Sequence, residues 1–111
     1  MMSEELETVA LFQRLDPEHV EAYRAAHEAV PSAVTQAMER GGVHSFRLFV
    51  EEDISVGVIE VEDFEAFNET YLADEECQMW EEHVAAFKKS GVDVDTGDMP
   101  IMEEIWTFER D

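Results

Sequence analysis

Cysteine, lysine and long apolar runs are what this 111-residue chain most lacks. The single Cys77 cannot close an internal disulfide, and it has none of the spaced cysteine or histidine companions of a structural zinc site. Its spacing from Trp80 and Val84 marks it as a small core residue. No run of about 18 apolar residues occurs, and the opening Met-Met-Ser-Glu-Glu-Leu-Glu-Thr is acidic where a secretory signal is basic and then apolar. A cytoplasmic protein with no membrane partner is the expectation. Lys88 and Lys89 are the only lysines, and 7 Lys and Arg stand against 28 Asp and Glu, for a net charge of −21. With no basic stripe to neutralise phosphates, a nucleic-acid partner is excluded. The GxSxG, GxGxxG, P-loop and HExxH patterns are missing as well, so nucleophilic, nucleotide-dependent and metal chemistries lack support, and neither metal nor cofactor is expected. His19 is too far from His27 to pair with it as a metal ligand, His44 and His83 read as structural or surface residues, and Gly41-Gly42 is a helix stop.

What is abundant is acid, spread through every segment from Glu4 to Glu76 rather than gathered in a tail. With 45% hydrophobic residues and clear periodicity, the chain is not a disordered acidic one. Charge of this density repels itself in dilute buffer, whereas at molar salt the screening length falls to roughly 3 Å. The composition is that expected of a salt-accumulating halophile.

Thr8 to Leu15 is rich in strand formers and ends at Asp16-Pro17, a cap followed by a residue preorganised for the first helical position. A helix is expected from about residue 17, interrupted near Pro31, resuming at Ser32 and stopping at Gly41-Gly42. Val43 to Val50 and Ile54 to Val61 read as a hairpin across Glu51-Glu52-Asp53. Asp63 caps a helix over Phe64, Phe67 and Tyr71; Asp74 opens another, with Cys77, Trp80, Val84 and Phe87 on one stripe, closing at Ser90-Gly91. A polar loop from Asp93 to Pro100 leads to a last strand, Ile101 to Phe108. The order β-α-β-β-α-β defines an α+β, ferredoxin-like fold: one domain over residues 1–111, a four-stranded antiparallel sheet with helices on one face. Yet both strand faces carry apolar side chains, Phe46, Leu48 and Val50 alternating with Val43 and Phe49, and Trp106 and Phe108 with Ile101 and Ile105. An uncovered aromatic sheet face calls for an occupant, and a second copy of the chain, packed sheet to sheet as a homodimer, is the economical one.

Within the first helical stretch Val20, Tyr23, His27, Val30 and Val34 recur at steps of three and four, which puts an imidazole and a phenol on an apolar stripe. Buried without partners, such groups cost several kcal/mol on an order-of-magnitude scale. Histidine is also the side chain best suited to moving protons near neutrality. A core histidine satisfied by the protein meets the same spacing. Tyr23, His27, Phe46, Trp80 and Glu81 can converge at one end of the sheet, combining a titratable base, polar fixers and flat aromatic surfaces. Such a set suits a small sugar, whose C–H face packs on a ring while its hydroxyls need donors and acceptors.

In their order and spacing, Leu15-Asp-Pro17, Tyr23-x-x-x-His27, Gly42-Val-His44-Ser-Phe46, Cys77-Gln-x-Trp80 and Glu104-Ile-Trp106 resemble the L-rhamnose mutarotase family, over about Thr8 to Phe108. The resemblance implies a dimeric α/β barrel of ferredoxin-like subunits that interconverts the α and β anomers of L-rhamnose without a cofactor. It implies His27 as the catalytic proton donor, with Tyr23 and Trp80 as sugar-binding aromatics. Phe46 stands where the better-known members carry a sugar-contacting tyrosine, and Glu81 where a second tryptophan follows the first. A relative acting on another 6-deoxy sugar therefore stays open, as do a non-catalytic ligand-binding or dimerisation module and a cofactor-free oxygenase on the same fold.

Overall fold

The computed structural model describes residues 5–90 and 100–110. Strand β1 (Glu7–Leu15) ends at Asp16, whose carboxylate accepts from the Glu18 amide and caps a single 3-10 turn over Pro17–His19. Helix α1 (Val20–Ala26) follows and α2 (Ser32–Arg40) begins just after Pro31. The break is wider than a proline kink because the chain leaves α geometry four residues earlier: the amides of His27, Glu28 and Ala29 bond three residues back, to Arg24, Ala25 and Ala26. Gly42, at φ 87, turns the chain into β2 (Val43–Glu51), and β3 (Ile54–Val61) returns through Glu52 and Asp53. Asp63 and Asp74 cap α3 (Phe64–Ala73) and α4 (Glu75–Ala85), each accepting from first-turn amides.

The sheet runs β2-β3-β1-β4, all neighbours antiparallel, which is the ferredoxin-like arrangement. Two expectations need correction. The last helix stops at Ala85, and Lys88–Ser90 form β4 instead of a final helical turn. The edge of β1 at Arg14 and Leu15 would otherwise leave backbone groups unpaired, and the Asp16 amide bonds the Phe87 carbonyl, drawing the chain out of the helix. The final strand, β5, holds only Ile101–Met102, paired to Leu11 and Ala10, and makes the sheet five-stranded. Beyond it Ile105, Trp106 and Phe108 find little to pack on among the described residues and are 87%, 78% and 74% exposed. The polar loop expected from Asp93 lies, except for Pro100, outside the described residues.

Register sorts the strand residues onto two faces. Leu11, Leu15, Ile59 and Val61 point to the helices and form the core with Tyr23, Val34, Phe64, Phe67, Tyr71, Cys77, Trp80 and Val84. Phe46, Leu48 and Val50, opposite Ile59, Gly57 and Ser55, share that face. Val43 does so too, contrary to simple alternation, because an irregularity between Val43 and Ser45 resets the phase and sets Val43 opposite Val61. Phe12, Phe49, Val56 and Val58 fall on the other face, where no helix packs, and Phe49 is 53% exposed. Among the described residues no helix is long and apolar enough to cross a membrane.

Candidate active site

Between the helices and the covered face of the sheet lies a cavity of about 580 Å³, the size of a small-molecule site. Tyr23, His27, Phe46, Trp80 and Glu81 all line it. The floor is set by strand phase: Gln13 and Ser55 are direct cross-strand neighbours at inward positions, both buried, in a register otherwise filled by apolar side chains. The Tyr23 hydroxyl joins them, 2.9 Å from Ser55 Oγ and 3.3 Å from Gln13 Oε1. Burial holds the Tyr23 phenol above its ordinary value of 10.0, the Ser55 bond working against that rise and the Glu81 charge with it. Beside Phe46 the floor is thin by necessity, since a Cβ on Gly57 would stand 3.1 Å from two atoms of the Phe46 ring.

His27 owes its pose to the way α1 ends. The His27 amide turns to Arg24, which leaves the Tyr23 carbonyl to the imidazole, 2.8 Å from Nδ1. A carbonyl only accepts, so Nδ1 carries a proton and the neutral ring keeps its lone pair on Nε2. Among the described residues Nε2 has no protein partner. The ring sits between Tyr23, 4.5 Å away centre to centre, and the edge of Trp80 at 5.3 Å. A histidine sealed in the core would have both nitrogens engaged; this one offers one to the cavity.

Besides Gln13 and Ser55, two cavity groups went unanticipated by sequence reasoning. The Tyr71 hydroxyl donates to Glu81 Oε2 at 2.7 Å, and burial, with the charge and hydrogen bond of Glu81 behind it, pushes that phenol far up. Lys88, first residue of β4, also lines the cavity, its ammonium 6.0 Å from the centre of the Tyr23 ring. Burial lowers its pKa from 10.5, against a smaller upward pull from Glu81. The phase of Gln13 and Ser55 was a readable signal, as polar residues at core positions. Lys88 gave none, because it was assigned to a helix end. Among the described residues no group of three His, Cys, Asp or Glu is placed to hold a metal ion.

A ferredoxin-like subunit with a half-engaged histidine facing a cavity lined by aromatic side chains defines the class of small α+β protein to which the chain belongs. The family model for L-rhamnose mutarotase matches residues 8–108, and the chain belongs to that family. An L-rhamnose mutarotase from Listeria monocytogenes serotype 4b (strain F2365) is 30% identical over 87 residues, 77% of this chain and 83% of the relative. The crystal structure of an L-rhamnose mutarotase from Formosa agariphila superposes with a TM-score of 0.73 at 19% identity, covering 93% of this chain and 99% of that one. Tetracenomycin F2 cyclase from Streptomyces glaucescens, a type-II polyketide cyclase, has the same fold at TM-score 0.66 and 18% identity, covering 95% and 99%. One scaffold thus serves unrelated chemistries, and the cavity side chains must carry the choice.

Proposed function

We propose that the chain interconverts the α and β anomers of a 6-deoxy sugar, L-rhamnose first among them, by acid–base opening of the ring. Mutarotation requires that the hemiacetal C1–O5 bond break while the anomeric hydroxyl loses its proton; the aldehyde then rotates and closes on the other face. Proton transfers alone suffice, and a positioned acid–base group contributes about 100- to 10,000-fold over a reaction that already proceeds in water. The observation that carries this reading is the half-engaged His27, anchored through Nδ1 with Nε2 free in a cavity lined by Tyr23, Phe46, Trp80 and Glu81. His27 is the proton-transferring residue at Nε2. Phe46 and Trp80 offer faces for the sugar's C–H surface, and Glu81 accepts from a hydroxyl on the side away from Tyr71.

The working unit is a homodimer. Residues 103–110 leave the sheet with Ile105, Trp106 and Phe108 bare, and the open sheet face presents Phe12, Phe49, Val56 and Val58, so each copy supplies apolar surface that the other can cover. Its setting is high salt, which screens the charge of −21. Exchange NMR of L-rhamnose, L-fucose and L-lyxose with the purified protein in molar KCl tests the function. Accelerated anomer exchange of at least one sugar is expected; none above the enzyme-free rate contradicts it, and oxygen uptake with an aromatic substrate instead would make the protein an oxygenase.

A further inference from the structure

The chain is poor in cations, yet two of them, Arg24 and Lys88, line the cavity. Of 7 Lys and Arg, Arg14 and Arg40 are ion-paired on the surface to Asp53 and Asp74. Lys88 instead lines the sugar-sized cavity, and among the described residues no carboxylate lies within ion-pair distance of its ammonium. An ammonium held out of water without a close partner is unfavourable unless a ligand atom completes its contacts. His27 and Lys88 both stand against the ring of Tyr23, at 4.5 Å between ring centres and 6.0 Å from Nζ to the centre, and both line the one cavity.

The fixed tautomer of His27 leaves a role vacant. With Nδ1–H committed to the Tyr23 carbonyl, the neutral ring can take a proton at Nε2 but has none to give there, so ring opening needs a second group as donor. We propose that Lys88 is that donor, its ammonium protonating the ring oxygen while His27 Nε2 accepts the proton of the anomeric hydroxyl. The inference rests on the mutarotase reading above. As C1–O5 breaks, its electron pair takes the proton from Lys88, the O1–H proton passes to His27, and C1=O1 forms. The open-chain aldehyde then faces a neutral amine and an imidazolium. After rotation about C1–C2, the O5 hydroxyl attacks C1 from the other face and returns its proton to Lys88, while His27 protonates O1. Both groups end as they began.

The other titratable and charged groups facing this cavity are Tyr23 and Arg24 from α1, Tyr71 from α3 and Glu81 from α4. Each phenol is engaged by a protein partner and holds its proton more tightly than usual, Tyr71 with Glu81 and Tyr23 with Ser55 and Gln13. The Arg24 guanidinium does not release a proton. Lys88 is the cavity group whose surroundings ease proton loss.

The test is L-rhamnose exchange NMR on wild type, K88M and K88R from neutrality up to pH about 10, with the enzyme-free rate subtracted at each pH. Wild type should slow on the alkaline side as Lys88 loses its proton. Both variants should lose roughly 100-fold in kcat near neutrality, with KM little changed and the alkaline fall gone. K88R keeps the cation but cannot give up its proton, so a full rate in K88R overturns the proposal even if K88M fails to fold. A raised KM with kcat and the alkaline fall intact overturns it too, leaving Lys88 a mere anchor. If wild type exchanges no sugar, the mutarotase reading falls and this role with it; if wild type is active and both variants match it, only the role of Lys88 falls.

Discussion

The two faces of one sheet have opposite fates. On the covered face, polar groups interrupt the core and several of them are held by partners in the fold: Gln13 and Ser55 under Tyr23, Glu81 against Tyr71, His27 through Nδ1 on the Tyr23 carbonyl. On the open face and in the segment after β5, apolar groups are left without cover: Phe49, Ile105, Trp106 and Phe108. Satisfied polarity inside builds a site that can be specific, because each donor and acceptor is already aimed. Unsatisfied apolarity outside has no such use in a lone chain, and it is the signature of surface meant for another.

That contrast is broken most severely by charging the outside. Trp106→Asp should convert the dimer to monomers, weakening association by at least about 30-fold, as loss of an interface aromatic costs about 2 kcal/mol or more. Sedimentation at micromolar concentration in molar KCl reads it directly, and a wild type that is itself monomeric there removes the dimer.

Next comes the inside. Tyr71→Phe deletes the 2.7 Å bond to Glu81, and hydrogen bonds to charged groups contribute about 1.5–3 kcal/mol, so denaturant midpoints should fall accordingly. The same variant carries a pH signature. Tyr71 has a raised folded-state pKa, so its contribution is whole below 10.0 and is lost as the unfolded chain begins to release a proton that the fold retains. Wild-type stability should therefore decline above pH 10.0, and less steeply in the variant.

Salt acts on both faces at once. With a charge of −21, the thermal midpoint should rise from dilute buffer to molar KCl, each 1 kcal/mol gained moving it by roughly 4–8 °C for a chain of this size. A midpoint indifferent to salt contradicts the halophilic reading. The smallest effect is one of preference: Glu81→Trp trades a charged acceptor for an indole that only donates, and should shift the ratio of exchange rates among L-rhamnose, L-fucose and L-lyxose by about tenfold. An unchanged ratio puts Glu81 outside the sugar's reach.

How much of this could be read from the chain follows the same division. Helix caps, the Pro31 break, the hairpin and the order of elements are local, written in Asp16, Asp63, Asp74, Gly42 and the alternation of Ile54 to Val61, and they led to the ferredoxin-like fold. The inward stripe of α1 pointed to Tyr23 and His27 for a local reason as well. What escaped was set by distant partners. β4 exists because the edge of β1 needed pairing, and no periodicity within Phe87 to Ser90 announces that. The phase reset at Val43 and the early end of β5 also depend on what lies alongside. So does the bond from Tyr71 to Glu81, whose residues sit on different helices. Lys88 entered the cavity by way of β4, so a misread element hid a candidate site residue.

The central claim is that the half-engaged histidine moves the proton. His27→Asn keeps a polar side chain of similar reach without a group that can relay a proton, so the folded dimer and its thermal midpoint should stay nearly intact while anomer exchange falls by roughly 100-fold or more. Exchange NMR on the variant beside its melting curve measures both; retained exchange with a lowered melting temperature would make His27 a structural residue and contradict the account.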